Sequence, residues 1–384
     1  MIVAITYIIL FLGISLIIFL NHKILVMNSI LKKIIFGIFI ISLSVIAYNI
    51  SAPSNWDLGR NYLLLDVIRD SGLSFRQFVF GGAATYNADG DRTLIVYNIY
   101  RYIIVHIFKN NVWYQTITTI IVYLLAGYII FDYKKDKKKK SSSIIIILLM
   151  SFTYLPFLYI TSGVRNALAA SITGVATYMY LYRKENILLF ICEIIAAAMI
   201  HPSILVVVPF VFLAKMHMGR KGAILVIMFL TILKYIAVLL SKVNIRYLAG
   251  IGRSYLIYTG GNRYKGGRGH LYGIIIITAI FIMYFMIEYR KNNVGCLQKD
   301  KVAVEDFILY MMVYMIGNFQ NYDLVLRPGY IVGMFAPFLV DQMIEKKPKN
   351  SFNKALKVGS NMLIVIMCVY VNYKCMQIFL EAFR

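Results

Sequence analysis

Apolar residues in this 384-residue chain come in long runs, residues 144–150 being one, rather than alternating or forming narrow helical stripes. About 20 mostly apolar residues cross a bilayer as a helix. On that criterion the sequence predicts spans at 2–20, 34–50, 114–133, 144–161, 166–182, 187–200, 203–214, 223–241, 273–288, 307–325, 329–344 and 359–379. The fold class expected is an all-α polytopic membrane protein of 11–13 spans, one integral membrane domain over residues 1–384. The first run lacks a basic start and a small-residue cleavage site, so it reads as a retained span. Two long stretches fall between spans, 51–113 and 242–272, and within the first, residues 62–80 and 93–109 have the spacing of helices lying in a membrane interface.

Composition agrees: 60% of residues are hydrophobic and 15% charged, against about a quarter charged in soluble domains. That excludes disordered, collagen-like and disulfide-scaffold classes. The formal charge of +23, from 40 Lys and Arg against 17 Asp and Glu, would suggest nucleic acid in a soluble protein. Here 23 of the 40 basic residues collect in short loops, such as Lys134 to Lys140, Arg183/Lys184 and Lys215/Arg220/Lys221, which all agree with one topology when placed in the cytoplasm. No nucleic-acid partner is expected, and both termini and the two long stretches face outward. The stretch 51–113 is nearly balanced, with Arg60, Arg69, Arg76, Arg92, Arg101 and Lys109 against Asp57, Asp66, Asp70, Asp89 and Asp91. The stretch 242–272 is not: Lys242, Arg246, Arg253, Arg263, Lys265 and Arg268 have no acid among them. Uncompensated cations on a translocated face suit either an anionic ligand or anionic headgroups, and Gly260, Gly261, Gly266, Gly267 and Gly269 make the segment pliable. Cys192, Cys296, Cys368 and Cys375 have no disulfide or zinc spacing.

Candidate chemistry lies at the expected outer face. Arg165 opens a span as Arg165-Asn166-Ala167-Leu168-Ala169, where a guanidinium beside unsatisfied N–H groups favours an anion, or snorkels to headgroups. His201-Pro202-Ser203 separates two short apolar runs, so His201 is expected below the surface, as a proton acceptor or as a cap of the broken helix. Pro328-Gly329 predicts a turn that presents Arg327 at the same face, with Asp323 as its alternative partner. Asn55-Trp56-Asp57-Leu58-Gly59-Arg60-Asn61-Tyr62 offers a carboxylate, a guanidinium and aromatic faces for sugar rings. Asp89-Gly90-Asp91 resembles an Asp-x-Asp metal motif but reads better as a turn, so no metal or other cofactor is expected. Glu193 and Lys234 lie inside spans, paired with each other or lining a cavity.

Taken together, Asp57…Arg60…Tyr62, Arg165-Asn166-Ala167-Leu168-Ala169, His201-Pro202-Ser203 and Arg327 with Tyr330 resemble the EpsG family, the Wzy-type polysaccharide polymerases of bacterial capsule and exopolysaccharide assembly. That resemblance implies a GT-C-like membrane enzyme of the plasma membrane, acting at its extracytoplasmic side on undecaprenyl-diphosphate-linked oligosaccharide as donor and acceptor. It implies other polysaccharide export and chain-length proteins as partners besides the bilayer. Arg165 and Arg327 would answer the diphosphate, with the 242–272 cations Arg253, Arg263, Lys265 and Arg268 assisting. His201 and Asp57 are the candidate bases. Arg60, Tyr62, Asn166 and Tyr330 would bind substrate. The alternatives are a lipid-linked oligosaccharide flippase, another polyprenyl-phosphate-dependent glycosyltransferase and an O-antigen-ligase-like enzyme. A membrane O-acetyltransferase fits less well, because His22 and His217 sit in ordinary basic loops.

Overall fold

The computed structural model describes residues 29–50, 57–80, 94–135, 160–161, 163–260, 299–318 and 322–345. Outside them lie the expected spans 2–20, 273–288 and 359–379, nearly all of 144–161, Asp89-Gly90-Asp91, and Arg263, Lys265 and Arg268. The described residues are helical, without strands. They divide into two compact units.

The first unit contains α1 (Ser29–Tyr48), α2 (Asp57–Asp70), α3 (Phe75–Val79), α4 (Ile95–Ile107), α5 (Val112–Lys135), the start of α6 (Val164–Tyr182) and the short segment Met199–His201. α1 packs on α5 through Phe36 against Phe131 and Phe39 against Tyr123, edge to face at 5.3 and 5.8 Å. The other side of α1 exposes Ile30, Ile34, Ile38, Ile41 and Val45 at helical spacing. A helix apolar all round suits lipid on one side and protein on the other. Meanwhile α5 hides Gln115, Thr116, Thr118 and Thr119. The threonines return their hydroxyls to carbonyls four residues back, and Gln115 Nε2 donates to the Ala47 carbonyl at 3.1 Å, satisfying an end group of α1.

The sequence predicts one helix over 62–80, and two are found. Gly72 adopts a left-handed φ of 61°, and Ser74 with Gln77 forms a capping box that starts α3 afresh.

The second unit takes the rest of α6 from Ile172, then α7 (Ile187–Ala198), a 3-10 turn (Pro202–Val207), α8 (Val208–Lys215), α9 (Gly219–Lys242), α10 (Arg246–Gly260), α11 (Lys299–Gly317) and α12 (Tyr322–Glu345). Lys184 and His217, in the two short basic connections flanking α7–α8, both take left-handed φ, as a tight reversal requires. Lys215 Nζ donates to the Tyr180 carbonyl at 2.8 Å near the end of α6, and Asp306 accepts from Gly219 N–H at the start of α9. A cation at a helix C-terminus and a carboxylate at an N-terminus both oppose the helix dipole.

Two expectations need revision here. The helix break falls at Asn318, whose side chain donates back to the Tyr314 carbonyl at 2.9 Å, and not at Pro328-Gly329, which α12 runs through. Proline forfeits one ladder bond inside a helix, a loss that neighbours in a membrane bundle tolerate. The expected pliable loop 242–272 is helical from Arg246 to Gly260. Gly252 allows α10 to lie on α9, since a Cβ there would stand 2.5 Å from the Ala237 carbonyl oxygen and the Ser241 nitrogen.

By length and hydropathy, one described helix qualifies as a membrane span, Val112–Tyr133. α9 would be a second if its two parts, bent by 50° between Leu233 and Tyr235, count as one. Lys33–Tyr48, Ile187–Ala198, Pro202–Lys215 and Leu324–Phe335 are apolar but shorter.

Candidate functional site

α4 buries Tyr97, Asn98, Arg101, Ile104 and Val105, a stripe at helical spacing with three polar members. Its N-cap, Leu94, offers no side-chain oxygen, so the first N–H groups of the helix need other partners. The Tyr97 N–H finds one in the carbonyl of Met199, at 3.4 Å. That bond brings the Met199–His201 segment onto the start of α4, and His201 itself is buried.

The Tyr97 side chain is the centre of the arrangement. Its hydroxyl donates to Asn61 Oδ1 on α2 at 3.2 Å and shares a hydrogen bond with the Tyr114 hydroxyl on α5. The Arg165 guanidinium stands 5.7 Å from its ring centroid and the Arg101 guanidinium 4.6 Å, both within range of a cation–π attraction. Arg101 also lies 5.9 Å from the Phe78 ring and donates to Asn98 Oδ1 at 2.6 Å. The two guanidinium carbons are therefore within about 10 Å of each other, where like charges repel by roughly 2 kcal/mol at an effective dielectric near 20.

Two carboxylates of α2, Asp57 and Asp66, are committed elsewhere. Asp57 pairs with Arg60 on the exposed first turn. Asp66 pairs with Arg69 at 2.6 Å and accepts from Asn111 at 2.8 Å. Among the described residues no ion pair is made by Arg101 or Arg165. Next to Arg165, the buried Asn166 Oδ1 has no hydrogen-bond partner. Such an acceptor matches a hydroxyl-bearing ligand.

Tyr62 closes one side of this region, its hydroxyl donating to Gln115 Oε1 at 2.7 Å, and burial pushes its pKa up to about 12. Tyr100 is raised further by burial, with its hydroxyl on the Tyr114 carbonyl at 2.9 Å. Both phenols are neutral donors at physiological pH.

Of the residues picked from the sequence, Arg165, Asn166, His201, Asp57, Arg60 and Tyr62 all belong to the first unit. Arg327, Tyr330 and Arg253 belong to the second. Arg327 is half-buried in the second turn of α12, within electrostatic reach of Tyr314, and Tyr330 is buried on the same helix. Arg253 is exposed on α10, its Nε donating to the Ala249 carbonyl. Glu193 is half-buried with its Oε2 unpartnered, and the Lys234 side chain lies outside the described residues. Sequence reading passed over Tyr97, Arg101 and Asn61, although the stripe Tyr97-Asn98-Arg101 was legible as polar groups on the buried face of a helix. Among the described residues no cluster of three His, Cys, Asp or Glu could hold a metal ion.

Two arginines, Arg101 buried and Arg165 half-buried, thus stand on one tyrosine ring, in a helical protein whose α1 turns a stripe of isoleucines outward. The EpsG family profile matches residues 75–380, and the chain belongs to the EpsG family, the family of Wzy-type polymerases. The chain matches no curated protein and no solved structure.

Proposed function

We propose that this polysaccharide polymerase transfers a growing glycan from its undecaprenyl-diphosphate carrier to a sugar hydroxyl of a second undecaprenyl-diphosphate-linked repeat unit, at the outer face of the plasma membrane. The acceptor oxygen forms the new bond to the anomeric carbon as the bond from that carbon to the diphosphate oxygen breaks. The acceptor's proton passes to a base, and undecaprenyl diphosphate departs carrying the electron pair. About twelve spans, some of them the short apolar helices, hold the site near the outer surface.

The observation that carries this reading is the Arg165 guanidinium on the Tyr97 ring, at the start of a helix and free of any carboxylate among the described residues. A fixed cation beside helix N–H groups stabilises charge developing on a leaving diphosphate, so the reaction needs no metal. Arg327 is assigned as a further cation for the diphosphate, and Arg253, Arg263, Lys265 and Arg268 attract the anionic lipid. His201 is the preferred base, because it is buried two residues after the Met199 carbonyl that holds Tyr97 N–H, while the Asp57 carboxylate is occupied by Arg60. Arg60, Tyr62, Asn166 and Tyr330 bind the substrate, Arg60 as a secondary ligand of the diphosphate. Supplying membranes with a lipid-linked repeat unit tests the proposal: a ladder of longer glycans with release of undecaprenyl diphosphate is expected, and flipping of the unit without extension would overturn it.

A further inference from the structure

Arg101 is the cation that the proposed reaction leaves unused. It is 5% exposed, its Nε has no hydrogen-bond partner among the described residues, and its guanidinium donates to Asn98, one turn back on its own helix. Arginine is almost never buried this far unless something answers its charge. Two of the three acids of α2, Asp57 and Asp66, pair with Arg60 and Arg69, and among the described residues no acid pairs with Arg101. A second guanidinium, that of Arg165, shares the aromatic ring that holds the first. Arg165 is the second residue of a 19-residue helix, in the turn whose N–H groups lack intrahelical partners.

We infer that Arg101 and Arg165, held on Tyr97, form one anion site in which Arg101 is a direct ligand of the lipid-linked diphosphate. The identity of the lipid rests on the polymerase reading above. Each guanidinium offers a fork of donors that fits the oxygens of one phosphorus, and a diphosphate has two phosphorus atoms to share between two forks. A phospholipid headgroup has the same phosphate chemistry with a single phosphorus. Tyr97 holds both cations within cation–π range of its ring.

The test uses the full-length protein in nanodiscs of zwitterionic lipid, with undecaprenyl diphosphate or phosphatidylglycerol as probe and native mass spectrometry as readout. Arg101→Lys keeps the charge and loses the fork, so it spares the fold better than alanine would. It should weaken undecaprenyl diphosphate binding at least tenfold, as should Arg165→Lys, with phosphatidylglycerol binding unchanged. Wild-type affinity in folded Arg101→Lys overturns the inference, and so does tighter binding of phosphatidylglycerol than of the diphosphate. Independently of any variant, undecaprenyl diphosphate should slow hydrogen–deuterium exchange in wild-type peptides covering residues 95–107, and no slowing would overturn it. A protein that binds through Arg101 but makes no polymer keeps this site and loses the polymerase reading. A working polymerase whose Arg101→Lys variant binds and extends like wild type does the reverse.

Discussion

The backbone N–H of Tyr97 is bonded to the carbonyl of Met199, across about a hundred residues of sequence, so the turn before His201 serves as the missing cap of α4. That bond ties the segment Met199–His201 to the helix whose tyrosine ring carries two arginines, both within one unit.

Tyr97 gives the first prediction. Tyr97→Phe keeps the ring and loses hydroxyl bonds to Asn61 and Tyr114, at a cost of about 1 kcal/mol in stability with polymer yield close to wild type. Tyr97→Leu keeps apolar volume and loses the ring face, so polymerisation should fall about tenfold, in line with a cation–π contribution of roughly 1–2 kcal/mol. Initial rates of repeat-unit incorporation at matched protein levels distinguish them. Equal rates would show that the ring does not position the arginines.

Asp57 and His201 are separable. The Asp57–Arg60 pair is exposed, and such pairs contribute about 0–1 kcal/mol, so Asp57→Asn should leave both melting temperature and polymer yield nearly unchanged. His201→Gln should remove polymer while the protein still accumulates. The opposite pattern in the same incorporation assay would transfer the base to Asp57.

Alkaline pH reports on Tyr62. Burial raises its pKa from 10 to about 12, so the folded state favours the neutral phenol. Its contribution to stability is complete below pH 10 and disappears as pH climbs toward 12. Thermal unfolding of the detergent-solubilised protein should therefore show a steeper loss between those values for wild type than for Tyr62→Phe. Identical slopes would mean that the phenol is as hydrated in the fold as out of it.

At Gly252 a methyl group has nowhere to go, because the neighbours are backbone atoms of α9. Gly252→Ala should lower stability by about 1–3 kcal/mol, the usual cost of overpacking, read as a drop in melting temperature. An unchanged melting temperature would mean that α10 can lift from α9 without loss.

What the sequence made legible follows from which forces act locally. Apolar run length put helices over 166–182, 187–200 and 223–241, close to the observed Val164–Tyr182, Ile187–Ala198 and Gly219–Lys242, and the break in 62–80 had local markers in Gly72 and Ser74. The break before α12 was misplaced because Pro328-Gly329 is the stronger turn signal in isolation, while tertiary packing lets the helix continue through it. Arg165 and His201 stood out by position. Arg101 did not, because the 51–113 stretch is balanced in total charge, and only the folded chain shows that its acids Asp57 and Asp66 are taken by partners three residues away. Tyr97 had no signal at all beyond its place on a buried stripe, as its role is made by residues distant in sequence.

The central claim is that arginines of this chain stabilise a departing diphosphate while glycan chains grow. It is tested most directly by gel analysis of glycans formed when membranes containing wild type, Arg165→Ala or Arg327→Ala are given an undecaprenyl-diphosphate-linked repeat unit. A ladder from wild type, with none from either variant at equal protein levels, is the predicted result. A full ladder from both variants would contradict the account.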